Sequence, residues 1–271
     1  MKNKLGWLLM IAMMHISTTQ AESKQESTMP INTLEWQALN TKRVVFGHQS
    51  VGWNILNGLE RLADQQGVKI SFKEQRTAPT SAGISHFTIG KNGDPLSKIN
   101  DFAAAVDAGA AQGADMALMK LCYVDFNADT DAIQVADSYI ANLETLAQKH
   151  PDTHFVAVTA PLRTAQTGLK AWIKQLMGRQ PSGYVDNAKR GQFNERLREH
   201  YAKTGHLFDL AAIEAESNGK LCRIYADFQV VEALCPDLSS DGGHLNERGQ
   251  DVVAAALLNF ISAYPVKQEG K

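Results

Sequence analysis

Continuously apolar runs alternate along this chain with segments of helical periodicity. Such runs are typical of strands that are buried on both faces of a parallel sheet. The segments between them repeat apolar residues at three and four positions, as helices that pack on one face do. This order predicts an α/β protein with a doubly wound parallel sheet and helices on both faces. The predicted strands are 43–47, 68–72, 116–122, 154–159 and 206–210, and the predicted helices are 51–66, 96–112, 131–149, 186–204 and 247–264.

The predicted elements form one continuous series, with no internal repeat and no linker rich in Pro, Gly or Ser. We therefore expect a single domain over 36–264, preceded by a polar lead-in at 22–35 and followed by a polar tail at 265–271. Two loops are long, at 76–95 and 220–243. Long ordered loops in compact domains are often functional.

The first 21 residues have the order of a secretory signal peptide. Lys2 and Lys4 precede an apolar stretch at 5–16, and 19–21 has small residues at the positions of a cleavage site. The apolar stretch is short for a bilayer span, so an uncleaved anchor is the weaker alternative. We therefore expect a periplasmic or secreted protein with no stable membrane anchor after cleavage.

The charge pattern argues against a nucleic-acid partner. The net charge is −2, and no run or stripe of Lys and Arg is present. Export implies an oxidising compartment, in which the loop residues Cys222 and Cys235 are expected to form a disulfide. Cys122 lies in an apolar run and is expected to be a buried thiol. No Cys and His spacing fits a zinc site, so no metal is expected.

Ser50 follows the first predicted strand and stands at the start of the first predicted helix. In a doubly wound sheet, ligands bind outside the carboxyl ends of the strands, where the helix dipole also favours negative charge. The position therefore suits a nucleophile, with Gly47 and Gly52 allowing the backbone to turn. The alternative is that Ser50 only caps the helix. His48 is an alternative base, although a hydrogen bond within the turn suits its position better.

Asp241 and His244 lie in a glycine-rich turn before the last predicted helix. A separation of three residues on a tight turn can aim both side chains the same way. Asp241 would then orient the imidazole of His244, which would take the proton of Ser50. The alternative is that Asp241 shapes an Asx turn and His244 is a solvated loop residue. Asn246 is the expected N-cap of the last helix in both cases.

These motifs resemble those of the SGNH hydrolase superfamily, also called GDSL-like. The family places its serine at the end of the first strand and an Asp-x-x-His motif just before the last helix. Here the serine motif is the variant Gly-His-Gln-Ser at 47–50, and the second motif is complete. The resemblance implies a flavodoxin-like, three-layer α/β/α fold. It also implies a catalytic triad of Ser50, His244 and Asp241.

The resemblance further implies an oxyanion hole made by the serine N–H, a glycine and an asparagine. Gly93 is the closest match for the glycine, and Gly90 is the second. Either can equally be a plain turn glycine. Arg163 follows the fourth predicted strand and should therefore lie at the same edge of the sheet. There it could contact a carboxylate or sulfate of the substrate.

The family's asparagine has no direct counterpart. Val124 occupies the expected position, and Asp125 matches the last residue of that motif. Asn127 could reach in from two residues later, Asn92 could substitute from the preceding loop, or Tyr123 could donate its hydroxyl. Asp125 suits fixing a loop or binding a substrate hydroxyl better than stabilising an oxyanion. The sequence leaves these alternatives open.

The leading hypothesis is an exported serine esterase that hydrolyses an O-acyl group, such as acetyl, on a carbohydrate. Its substrate would be a small-molecule or polysaccharide ester, and no cofactor is implied. The carbohydrate follows from the resemblance and the expected export alone. A second hypothesis is a non-catalytic carbohydrate-binding or polysaccharide-assembly protein of the same fold. A third is an O-acyltransferase that uses the same residues and excludes water.

Overall fold

The computed structural model describes residues 33–226 and 229–264. The predicted signal peptide, residues 22–32 of the predicted lead-in and the predicted tail lie outside the described residues. The strands of the main sheet are β1 (Arg43–His48), β2 (Phe72–Glu74), β3 (Gly83–Thr88), β4 (Met116–Met119), β5 (His154–Val158) and β6 (Leu207–Phe208). The helices are α1 (Thr33–Leu39), α2 (Ser50–Gln65), α3 (Pro95–Asp107), α4 (Ala132–Lys149), α5 (Gly168–Leu176), α6 (Tyr184–Tyr201), α7 (Leu210–Glu214) and α8 (Glu247–Ala263).

The six strands form one parallel sheet in the order β2-β3-β1-β4-β5-β6. Four further strands form two antiparallel pairs outside this sheet. These are β7 (Glu216–Ser217) with β8 (Lys220–Leu221), and β9 (Arg223–Ala226) with β10 (Gln229–Glu232). Two short 3-10 turns, at Tyr123–Asp125 and Pro236–Leu238, follow β4 and β10.

Successive side chains of each strand enter different cores, because they point to opposite faces of the sheet. On β1, Val44 and Phe46 pack with α1, α2, α7 and α8, whereas Val45 packs on the other face with α3, α4 and α6. On β4, Leu118 and Ala117 divide in the same way. The predicted α/β/α layering with a doubly wound parallel sheet is therefore confirmed.

The order of the strands reverses at β1, which pairs with β3 on one side and with β4 on the other. In doubly wound sheets the crevice at such a reversal is where ligands bind. The loops that leave the carboxyl ends of β1, β3 and β4 meet there. The topology therefore places Ser50 at the position that the sequence predicts for it.

The largest difference from prediction is β3, which lies inside the predicted loop 76–95. Its centre carries Ser85 and His86, which are polar yet buried. Ser85 accepts a hydrogen bond from Gln75 at 3.1 Å, and the His86 ring lies 3.2 Å from a ring nitrogen of His48. These partners make burial of the polar groups tolerable, and the sequence pattern does not reveal them. In a similar way, the predicted loop 220–243 contains β8, β9 and β10.

The predicted disulfide between Cys222 and Cys235 is present, with the Cα atoms 5.3 Å apart. It ties the segment before β9 to the turn that leads toward Asp241. Cys122 is a buried free thiol, as predicted. Among the described residues, no helix has the length and apolar character needed to cross a membrane.

Loss of this disulfide should destabilise the fold without changing it. A short covalent loop restricts the unfolded chain and stabilises by about 2–3 kcal/mol. We expect urea unfolding to give a free energy of unfolding that is lower by this amount in the double variant Cys222→Ser/Cys235→Ser. Reductant should lower the stability of the wild type and leave the variant unchanged. Equal stability of the two proteins under oxidising conditions would contradict the expectation.

Candidate active site

Ser50, His244 and Asp241 form a continuous hydrogen-bonded chain. The Ser50 Oγ lies 3.0 Å from His244 Nε2, and His244 Nδ1 lies 2.7 Å from Asp241 Oδ2. A carboxylate can only accept, so Nδ1 carries the proton and Nε2 is left to accept from the Ser50 hydroxyl. The cap of α2 is Gln49, and Ser50 makes no capping bond. The alternative reading of Ser50 as only a helix cap is therefore wrong.

The turn that carries the imidazole is built by Asp241 itself. Its Oδ1 accepts from the backbone N–H groups of Gly243 at 2.9 Å and of His244 at 2.7 Å. The Asp241 carboxylate thus both shapes the turn and orients the imidazole. From the sequence alone, these two roles are alternatives. Gly242 takes a left-handed backbone with φ of 83°. Asn246 caps α8 by accepting from the N–H of Gly249, as predicted.

These hydrogen bonds hold the pKa of Asp241 at about 2, well below its usual 3.8. The side-chain bond to His244 is the largest cause, and the backbone N–H of the same residue is the second. Hydrogen bonds to the charged form of a carboxyl favour that form. Asp241 therefore stays ionised across the range in which a hydrolase works, and it can stabilise an imidazolium beside it.

The glycines beside Ser50 are needed for close packing. Neither Gly47 nor Gly52 has a positive φ, so residues with side chains could adopt the same backbone conformation at both positions. A Cβ at Gly52 would overlap the ring of His48, and one at Gly47 would lie 2.5 Å from the ring of Phe102. The expectation that these glycines allow a sharp turn is corrected. They let the first turn of α2 and the end of β1 approach their neighbours.

His48 is buried and makes its hydrogen bonds away from Ser50. Its Nδ1 lies 2.9 Å from the carbonyl oxygen of Gln49, so it carries the proton, and its Nε2 accepts from His86. Burial, the largest cause, lowers the pKa of His48 from 6.5 to about 3, so the ring is neutral. Both ring nitrogens are bonded away from Ser50. The alternative assignment of His48 as the base is therefore wrong, and it bonds within the turn.

The two candidate oxyanion glycines both donate to carboxylates. The N–H of Gly93 donates to Asp125 at 2.9 Å, and the N–H of Gly90 donates to Asp101 at 2.8 Å. Both glycines have positive φ, which residues with side chains rarely adopt. Their role in this structure is to shape the loop between β3 and α3. The assignment of Gly93 as an oxyanion donor is corrected accordingly.

Asp125 is buried and makes no surface available to a substrate. Its carboxylate accepts from Lys98 Nζ at 2.7 Å on each oxygen, from the N–H of Gly93, and from the N–H of Cys122 at 2.6 Å. Neither side chain of the ion pair with Lys98 is exposed. Of the two roles predicted for Asp125, fixing a loop is the one that this geometry supports. Its assignment as a substrate-binding residue is corrected.

Asn127 and Val124 follow β4 and differ in what their side chains can donate. The side-chain oxygen of Asn127 accepts from the N–H of Asp129 at 2.9 Å, and its own N–H donates to Thr130 at 3.0 Å. Asn127 therefore closes a local exposed turn before α4. Val124 is a partly exposed apolar residue with no side-chain donor. The assignment of Asn127 to the oxyanion hole stays a prediction.

Asn92 carries an amide in the loop between β3 and α3. Its Oδ1 accepts from Lys98 Nζ at 2.9 Å. Lysine can only donate, so this contact fixes the amide orientation and leaves the NH₂ group to point elsewhere. Gln49 Nε2 donates to the carbonyl oxygen of Ile89 at 2.6 Å, which joins this loop to the residue before Ser50. The contact between Asn92 and Lys98 could not be recognised from sequence, because it depends on the burial of Lys98.

Tyr123 and Arg163 lie beside the imidazole. The hydroxyl of Tyr123 is 3.4 Å from each ring nitrogen of His244, and the two rings meet edge to face. The Arg163 guanidinium lies 5.5 Å from the centre of the Tyr123 ring, and its Nε donates to Gly242. The buried Arg190 holds the Tyr123 carbonyl through two bonds of 3.0 and 2.8 Å. Arg163 therefore lies at the predicted edge, and Arg190 was not predicted.

No protein-family model matches this chain, and no curated protein sequence matches it. Solved structures do match. An esterase, EstA, from Pseudoalteromonas sp. is 9% identical, with TM-score 0.45 and coverage of 81% of this chain and 96% of that chain. The periplasmic domain of a lipopolysaccharide acetyltransferase from Salmonella ser. Paratyphi A is 16% identical, with TM-score 0.45 and coverage of 82% and 84%. A member of the lipolytic G-D-S-L family from Veillonella parvula is 17% identical, with TM-score 0.43 and coverage of 80% and 96%.

The buried neutral His48 should make stability depend on pH. The unfolded chain binds a proton at this residue below pH 6.5, whereas the folded chain does not until about pH 3. The contribution of His48 to the free energy of unfolding therefore declines as the pH falls from 6.5 toward 3. The decline is at most about 1.4 kcal/mol per pH unit. His48→Gln should cost less stability at pH 5 than at pH 7.

Urea unfolding of both proteins at the two pH values measures this difference. Burial raises the pKa of the Glu214 carboxyl to about 8, which makes stability change with pH in the opposite direction. Both proteins contain Glu214, so its effect cancels in the difference between their free energies of unfolding. A cost of the substitution that is equal at both pH values, or greater at pH 5, would contradict a neutral buried imidazole.

Proposed function

We propose that the protein is a serine esterase that removes an O-acyl group, such as acetyl, from a carbohydrate. The observation that carries the proposal is the bond of 3.0 Å between Ser50 Oγ and His244 Nε2, made by residues 194 positions apart. The imidazole is in turn held by Asp241 at 2.7 Å. Nucleophile, base and orienting carboxylate are thus in the relative geometry that acyl transfer requires.

The chemistry follows from these contacts. The Ser50 oxygen attacks the ester carbonyl while His244 Nε2 takes the hydroxyl proton. Asp241 stabilises the resulting imidazolium, which gives the proton to the departing sugar oxygen. An acyl group is then bonded to Ser50. Water, deprotonated by the same imidazole, attacks this acyl-enzyme, and the proton returns to Ser50 as the carboxylic acid leaves.

Two donors are available for the negative charge that develops on the carbonyl oxygen. Ser50 is the first residue of α2, and the first N–H groups of a helix have no partner within it. The dipole of α2 adds partial positive charge at the same place. The Asn92 amide, oriented by Lys98, supplies the second donor in this proposal. Together they replace the asparagine and glycine that the resemblance implied.

The surroundings of the triad favour a hydrolase with a bulky polar substrate. The side chains of Asp241 and His244 are 54% and 38% exposed, so water reaches the site. A transferase must keep water from the acyl-enzyme, which this openness disfavours. Tyr123 and Arg163 offer hydrogen-bond donors beside the imidazole, as a sugar requires. The disulfide supports an extracytoplasmic location, and we propose that the protein acts in the periplasm or after secretion.

Substitution of the triad tests the proposal with a chromogenic acetyl ester as substrate. Ser50→Ala and His244→Ala should each lower kcat/KM by about 10³-fold or more, and the double variant should be hardly worse. Asp241→Ala should be milder, because the base remains. Thermal unfolding should stay nearly unchanged in Ser50→Ala.

Retention of activity in Ser50→Ala would contradict the proposal, as would a wild type inactive on acetylated sugars and on chromogenic esters. Acceptor dependence is a separate outcome. A rate that rises with added sugar while free acetate does not accumulate would identify a transferase that uses the same residues.

Asn92→Ala tests the second oxyanion donor. Loss of one such donor should lower kcat by about 10²–10³-fold with little change in KM. Asn127→Ala is the matched control, because it removes an exposed asparagine amide from the neighbouring loop and should leave kcat unchanged. The reverse result, with loss at Asn127 and none at Asn92, would show that the amide comes from the other loop.

A further inference from the structure

Helix α5 turns an apolar face to solvent. Its large apolar side chains, and the one that follows it, are exposed by 42% to 73%; they are Leu169, Trp172, Ile173, Leu176 and Met177. Large apolar residues on adjacent helical turns normally face a core. A contiguous exposed patch of this kind marks an interaction site in a soluble protein.

The helix is attached to the protein by its opposite side. Ala171 is its buried residue, and Lys174 is partly buried with a bond to Ser182. At 100° per residue, the five exposed apolar residues cover an arc of about 140° centred opposite Ala171. The apolar face therefore points directly away from the domain, and the described residues around α5 leave it uncovered.

The charge of this segment indicates what can cover the face. Residues 165–183 contain Lys170, Lys174 and Arg179 and no acidic residue, in a chain of net charge −2. A second copy docked symmetrically on the same face would bring these positive charges together. An anionic surface would pair with them instead. On the helix, Lys170 lies beside one border of the apolar arc, from which a lysine reaches lipid headgroups.

The segment is joined firmly to the loop that carries the catalytic base. The N–H of Thr164 donates to the Gly242 carbonyl at 3.0 Å. The N–H of Gln166 donates to the Ser182 carbonyl at 2.9 Å, which joins the two ends of the segment that carries α5. A Cβ at Gly183 would lie 2.6 Å from the Thr164 carbonyl oxygen, which shows how closely the two ends meet. α5 thus stands at the rim of the site.

We propose that α5 is an interfacial helix that docks the protein reversibly on an anionic lipid surface. Its apolar arc enters the boundary between headgroups and acyl chains, and Lys170 contacts the phosphates. Docking brings the site close to esters held in that surface. The binding itself is independent of the proposed hydrolysis, so Ser50→Ala should bind as the wild type does.

Vesicle flotation of the full chain tests the proposal. Vesicles that contain phosphatidylglycerol should bind the wild type at least tenfold more than pure phosphatidylcholine vesicles, and salt should weaken the binding. Leu169→Gln/Leu176→Gln should reduce binding at least tenfold. Leu221→Gln/Val230→Gln is the matched control, since these apolar residues are similarly exposed on the short strands and should be neutral.

The emission of Trp172 gives a second, local readout. Anionic vesicles should shift the tryptophan emission of the wild type to shorter wavelength, and Trp172→Phe should lose that shift. Failure of the wild type to bind, or equal binding by the α5 variant, would overturn the proposal. A wild-type dimer that Leu169→Gln/Leu176→Gln converts to a monomer would overturn it too, because a second copy would then cover the face.

Discussion

The site depends on one buried carboxylate. Asp125 accepts from Lys98, Gly93 and Cys122, and so joins α3, the loop after β3 and the end of β4. With neither side chain of the ion pair exposed, removal of one partner would leave an unpaired buried charge, which typically costs about 3–5 kcal/mol. The same lysine orients the Asn92 amide. A single network therefore sets the position of the loops and of a proposed catalytic donor.

The second constraint is the close approach of the base-bearing turn to its neighbours. A Cβ at Gly243 would lie 2.7 Å from the Tyr123 ring, and one at Gly242 would lie 2.6 Å from the Thr164 hydroxyl. Glycines at both positions let the turn enter the crevice. Asn54 of α2 then holds it by accepting from the N–H of Leu245 at 3.1 Å. The start of α2 and the turn that carries His244, which are remote in sequence, are thus held within hydrogen-bonding distance of each other.

Much of this could be predicted because its signals are local. The alternation of elements, the cap at Asn246 and the serine at the reversal of the sheet all follow from short patterns. The rest depends on contacts between distant segments. Lys98 and Arg190 lie in helices, where charged residues are usually exposed, yet both are buried with partners. α5 was not predicted, although its apolar residues recur at the spacing of one helical face.

The central claim is that Ser50 is an activated nucleophile. Labelling of the native protein with a fluorophosphonate, followed by peptide mass spectrometry, tests it most directly. The account predicts one adduct per chain, located on Ser50, formed much more slowly in His244→Ala and absent from Ser50→Ala. No adduct on the folded wild-type protein, or an adduct on a different residue, would contradict it.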